Sequence, residues 1–332
     1  MKKIIYIAIL LCLHQLSSAQ QLPLYSQYLY NKFLINPAIA GADGFTSVNI
    51  TAREQWIGYN GAPRTYSVSY QTRILKRSYQ LKQNIFNKTV YKAKTPGKVG
   101  AGGYVFSDRN GRIQRTGFQM AYAYHTWIAD YTQLSLGLAV TGYHFKVDVN
   151  YINFDDPNEP WLNNELRRGI FVPDADFGLY ILDPKFSFGF SAQQLFGANV
   201  KIGEAAYRNY WMDRHYYFQG TYNFEVGVRS ELQPSMLLKV SEQVRPQVDL
   251  GLTYNYNNDF WAGLAYRTGS ALIGHIGMRH FTSRVKLTSM YFGYSFDWTL
   301  NKIQSATYGT HELTVAIKFG DVDKRFNWVD RF

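Results

Sequence analysis

Residues 133–140 read Gln-Leu-Ser-Leu-Gly-Leu-Ala-Val. In an extended chain successive side chains point to opposite faces. Leu134, Leu136, Leu138 and Val140 therefore share one face, and Gln133, Ser135, Gly137 and Ala139 the other. The same period runs through 247–256, where Val248, Leu250, Leu252, Tyr254 and Tyr256 oppose Gln247, Asp249, Gly251, Thr253 and Asn255. It recurs at 311–319, where Leu313, Val315, Ile317 and Phe319 oppose Glu312, Thr314, Ala316 and Lys318. These runs exceed the ~5–6 residues of an average soluble strand. They match the ~9–11 residues with which a tilted strand crosses a bilayer. The second face is polar or tiny, as a wet or plugged barrel lumen requires. A soluble sandwich also alternates, with shorter strands. The expectation is an all-β, transmembrane outer-membrane barrel.

The start of the chain agrees. Lys2 and Lys3 precede the apolar run Ile4–Leu13, and small Ser17 and Ala19 stand before Gln20. Residues 1–19 read as a secretory signal peptide, too short to span a membrane. Its Cys12 is the only cysteine, so the exported chain forms no internal disulfide. Leu11 stands where a lipoprotein signal needs a small residue. Beyond the signal no apolar run reaches the ~18 residues of a membrane helix, yet 17% of residues are aromatic, more than an ordinary globular domain carries. The formal charge of +11 falls to +9 without Lys2 and Lys3. On an exported barrel this points to anionic headgroups or an acidic protein partner, not to nucleic acid.

Strands are expected near 45–53, 63–73, 98–107, 112–127, 131–146, 174–183, 186–194, 214–222, 234–240, 245–257, 260–267, 270–279, 285–296 and 309–319. Leu272 and Ile273 break the alternation in the twelfth. Short turns at 108–111, 128–130, 183–185 and 257–259, with Gly, Asn, Asp and Pro among their residues, separate several of them. About 14 antiparallel strands, an even count, place both termini on the periplasmic side. The long connections 54–62, 147–173, 195–213 and 297–308 then face outward. Aromatics at strand ends, Tyr143 and Phe145, Tyr254 and Tyr256, Phe260 and Trp261, and Tyr291 to Tyr294, read as interfacial girdles. The connection 73–98 carries eight Lys or Arg and no acid. It reads either as a solvated loop or as a dock for a periplasmic partner or inner-leaflet lipid.

The stretches YSQYLYNKFLINPAIAGADG (25–44) and REQWIGYNGAPRTYSVSY (53–70) closely resemble the opening of the PorP/SprF family. The resemblance continues through YAYHTWIADYTQLSLGL (122–138), PDADFGLYI (173–181), RHYYFQGTYNF (214–224) and VDLGLTYNYNNDFWAGLAYR (248–267) to GTHEL (309–313). The basic insert 73–98 departs from it. The family belongs to the Bacteroidetes type IX secretion and gliding-motility machinery. The resemblance implies a barrel that assists export and surface attachment of a large adhesin through the adhesin's C-terminal secretion domain. It marks Asn36, Pro37 and Gly41 as one motif and Arg53, Trp56, Gly58, Gly61 and Pro63 as the next.

Domain boundaries follow: signal 1–19, a plug or periplasmic lead-in at 20–44, barrel 45–319 and a periplasmic tail 320–332. Within 20–44, Pro37 fixes its own φ and biases Asn36 away from helix, while Gly41 permits a tight reversal. Trp56 reads as a partner contact or an interfacial anchor. In the outward loops, Trp161 and Trp211 are the expected partner-binding anchors, with Arg167, Arg168 and Arg208 as carboxylate partners. An alternative is that they only pack the loops over the barrel mouth. No G-x-S-x-G or H-E-x-x-H is present, and His311 and Glu312, adjacent in a strand, point to opposite faces. The acids Asp155, Asp156 and Glu159 lack the spacing of a calcium loop. The expectation is a non-enzyme with no cofactor and no metal. The alternative function is a porin-like or FadL-like channel for small solutes.

Overall fold

The alternation sets the phase of the strands, and the strands close on themselves. The computed structural model describes residues 25–74, 98–129, 131–148, 169–197, 199–202, 208–242, 244–283 and 288–319. Residues 1–24, 75–97 and 320–332 are among those outside them. In chain order the strands are β1 (Thr46–Glu54), β2 (Arg64–Ile74), β3 (Val99–Asn110), β4 (Ile113–Trp127), β5 (Gln133–Val147), β6 (Ile170–Leu182) and β7 (Phe186–Gln193). Then come β8 (Asn199–Ile202), β9 (Arg208–Trp211), β10 (His215–Tyr222), β11 (Phe224–Gly227), β12 (Ser230–Ser241) and β13 (Gln247–Tyr256). The last are β14 (Phe260–Arg267), β15 (Ala271–Ser283), β16 (Thr288–Thr299) and β17 (Thr310–Phe319).

β1–β7, β10 and β12–β17 form a closed antiparallel ring of fourteen, with β17 beside β1 and β10 beside β12. β8 and β9 make a separate hairpin in the connection from β7 to β10. β11 continues β10 along β12 in one register, Thr221 opposite Ser235 and Phe224 opposite Leu232. Pairing lapses at Tyr222 and Asn223, and Tyr222 stands opposite Pro234, which has no N–H to give to the ladder. Asn257 and Asn258 both adopt positive φ (52° and 55°) in the tight turn joining β13 to β14.

Burial is inverted relative to a soluble sheet. Met120, Leu138, Val140 and Leu264 are exposed on the outer wall, while Gln119, Ser135, Thr253 and Glu312 are buried on the inner one. Such a surface is stable only where lipid, not water, meets it. The phase also corrects part of the girdle. Tyr254, Tyr256, Phe260, Phe292 and Tyr294 lie on the outer wall. Tyr143, Phe145 and Trp261 are buried, because they share the parity of the polar inner face. Tyr143 and Phe145 pack instead on Val172 and Met212. β15 is one continuous strand paired on both sides, with Leu272 exposed and Ile273 buried.

The barrel has two mouths. At the terminal mouth β1 begins and β17 ends; at the loop mouth lie the connections 55–63, 148–169, 194–214 and 300–309.

Candidate functional site

Residues Tyr25–Phe45 lie inside the ring and touch strands around it. Asn36 and Pro37 explain their local shape. Asn36 is extended (φ −147°, ψ 113°) and caps a 3-10 turn at Pro37–Ile39, its Oδ1 accepting from the Ala38 N–H at 2.9 Å. Its Nδ2 donates to the carbonyls of Leu179 (3.0 Å) and Phe190 (3.2 Å) on β6 and β7, tying the turn to the wall. Pro37 stands at the first position of the turn, where its missing N–H has no partner to lose. Gly41 adopts φ 66°, and a Cβ there would stand 2.5 Å from the Thr72 carbonyl oxygen.

The wall is shaped to the segment. A side chain at Gly100 would overlap the Ala40 carbonyl, at Gly137 the Ala38 backbone, and at Gly178 the Asn36 side chain. The downstream half is held by an apolar cluster: Phe33, Ala38, Ile39, Ala40, Ala42 and Phe45 pack on Ala121, Ala123, Ala139, Tyr180 and Leu182. Polar inner residues satisfy its backbone. His125 faces the Ala40 carbonyl (3.0 Å), while Arg73 donates to Gly41 (3.2 Å) and Gln133 to Ala42 (3.1 Å).

The upstream half meets charge. Glu312 on β17 accepts the N–H groups of Ser26 and Gln27, both at 2.8 Å. The Ser26 hydroxyl donates to Asp297 on β16 at 2.6 Å. Arg53 on β1 reaches Asp297 and Glu312 at 2.8 Å each and is itself 1% exposed. Arg267 on β14 forks onto Asp249 of β13 (Nη2 at 2.8 Å), lies 3.6 Å from Asp297 and donates to the Tyr25 carbonyl at 3.2 Å. Five charged side chains from five strands thus converge on three consecutive residues near the loop mouth. A buried charge is tolerated only when paired and hydrogen-bonded, and this arrangement meets that condition.

Of the residues expected from sequence to matter, Arg53 is in this cluster. Trp56 follows β1 with φ 49°, its N–H donating to Thr310 Oγ1 at 3.2 Å. Gly58 and Gly61 take φ 95° and 73° in the same connection, and the Pro63 carbonyl accepts from the Gln55 N–H at 2.9 Å. Arg208 and Trp211 sit on β9, opposite Ile202 and Asn199. Trp161, Arg167 and Arg168, like Asp155, Asp156 and Glu159, lie outside the described residues. The partners missed were Asp249, Arg267, Asp297 and Glu312. Their parity on alternating strands announces an inner position, but not which of them meet. Among the described residues no group of acids, histidines or cysteines is placed to hold a metal ion.

A search of curated proteins finds no match. Among solved structures, the CymD monoaromatic hydrocarbon channel is similar at 10% identity and TM-score 0.48, over 92% of this chain and 96% of that one. The toluene transporter TodX of Pseudomonas putida follows at 7% identity and TM-score 0.45, over 86% and 91%. A FadL homologue of Pseudomonas aeruginosa has 9% identity and TM-score 0.44, over 83% and 89%. The family model described as type IX secretion system membrane protein PorP/SprF matches residues 17–317, nearly the whole of this closed fourteen-stranded outer-membrane barrel, and the chain belongs to that family.

Proposed function

We propose that this chain is a non-enzymatic outer-membrane anchor: it assists type IX export and holds a large secreted adhesin at the cell surface through the adhesin's C-terminal secretion domain. The observation that carries the reading is the occupied lumen. A barrel whose bore is filled by its own segment, tied to strands around the ring, acts through its mouths. Four long connections open at the loop mouth, against one, 75–98, at the terminal mouth; this supports an extracellular loop mouth and periplasmic ends of the ring. On this reading the loop mouth holds the cargo, with Trp161 and Trp211 as anchors and Arg167, Arg168 and Arg208 pairing with its carboxylates. The basic connection 73–98 meets periplasmic type IX components, and the apolar outer wall meets lipid. The buried histidines support a structural role: His125 pairs with Ser135 (2.7 Å), but the inserted segment covers both.

The test changes Trp161 and Trp211 together to Ala. A hot-spot Trp costs at least ~2 kcal/mol when truncated, so two acting independently weaken retention by roughly several hundredfold or more. The adhesin is expected in the culture medium at normal barrel abundance. Unchanged surface display refutes these anchors.

A further inference from the structure

The inserted segment is held in two unlike ways, and the difference divides it. From Phe33 to Phe45 it is gripped by apolar packing against β4, β5 and β6 and by the capped turn at Pro37–Ile39. From Tyr25 to Tyr30 it is also tied to charge: the Glu312 and Asp297 carboxylates, the Arg267 guanidinium, and Gln27 Nε2 on the Glu312 carbonyl at 2.9 Å. Its apolar contacts are Tyr28 on Ile35, Tyr217 and Leu237, with Tyr25 and Leu29 against the same cluster, and Tyr30 stacked on Trp261 at 4.7 Å. Water can replace a polar contact at small net cost, because folding only exchanges one hydrogen bond for another. It cannot replace the apolar grip.

Space lies on both sides of this upstream strap. Toward the terminal mouth is a cavity of about 120 Å³, lined on the strap by Gln27, Leu29 and Tyr30 and on the wall by Asn255, Trp261 and Arg279 among others. Toward the loop mouth a smaller void of about 10 Å³ is bounded by Tyr25, Tyr28, Asp249 and Arg267. The wall the strap covers is polar, and Ser295 Oγ, Thr314 Oγ1 and Gln27 Oε1 there find no protein partner. Proteins pair such groups with each other or with water, so this seam is suited to hydration.

We propose that Tyr25–Tyr30 is a displaceable strap over a hydrated passage that runs along β12–β17, and that its release lets ions and small hydrophilic solutes cross the barrel while Phe33–Phe45 stays in place. This is a second activity, independent of which cargo the loop mouth holds. Glu312 is the catch, because one carboxylate holds two consecutive backbone amides.

The experiment uses the full-length protein in planar bilayers, with potassium chloride as the permeant salt. In one variant Tyr25–Tyr30 is replaced by a Gly–Ser stretch of equal length; in another Glu312→Gln removes the charge and keeps the volume. Wild type is expected to stay mostly closed. The Gly–Ser variant should conduct steadily, and Glu312→Gln should raise the open fraction at least about tenfold, as the loss of charge-assisted bonds predicts. Heat-modifiable gel migration verifies that each barrel is folded. Should the Gly–Ser variant not assemble, Glu312→Gln decides alone. Folded variants that stay closed overturn the proposal, and so does conductance that appears only when Phe33–Phe45 is also removed.

Discussion

Arg53→Met tests the charge cluster at its centre. Arg53 and Arg267 are positive and Asp249, Asp297 and Glu312 negative, a formal net charge of −1 that the substitution takes to −2. Arg53 is buried and makes two pairs of 2.8 Å, so water cannot simply take its place. Removing one partner of a buried pair typically costs about 3–5 kcal/mol, because the other charge is left uncompensated. That is roughly two to nearly four powers of ten in the folding equilibrium. The assay is reversible urea unfolding in lipid vesicles, followed by heat-modifiable migration and tryptophan fluorescence. Combining Arg53→Met with Glu312→Gln removes one of the stranded acids. The double variant should be more stable than the two single losses would sum to, by about 0.5–3 kcal/mol. A cost below about 1 kcal/mol for Arg53→Met, or strict additivity, refutes the view that this cluster is a coupled unit.

Two further substitutions test the packing. Gly178→Val puts a side chain where Asn36 Oδ1 now lies, and overpacking of this kind costs about 1–3 kcal/mol. Limited proteolysis of the purified barrel should then cut within residues 25–45, and wild-type resistance would contradict the fit of wall to segment. Leu138→Arg places a charge on the lipid face near the middle of β5 and should cost about 2–4 kcal/mol in vesicles. A neutral result would mean that this face does not meet lipid.

The ring was legible because lipid leaves little freedom. A strand with hydrocarbon outside and a polar interior must alternate, and the alternation at 133–140, 247–256 and 311–319 therefore shows its phase in the residues themselves. All fourteen expected strands are members of the ring. Where β6 was expected to begin at 174, it begins at Ile170, through Pro173. The Ala175 carbonyl accepts from Leu195 on the side where β7 has already ended, so Pro173, of the same parity, points its missing N–H to that side and breaks no ladder bond there. Tyr143, Phe145 and Trp261 were placed by their position along the strand when parity was the stronger signal. The charge cluster was less legible. Arg53 and Glu312 are 259 residues apart, and only closure of the ring brings β1 beside β17. Local pattern sets which way a side chain points; topology sets whom it meets.

The measurement that reaches furthest is affinity purification of the native complex from the outer membrane, with and without Trp161→Ala and Trp211→Ala. The account predicts one large secreted protein, bound through its C-terminal secretion domain and lost in the double variant, while the barrel is recovered in normal amount. A barrel that purifies alone from intact outer membrane and passes small solutes steadily as wild type would contradict it.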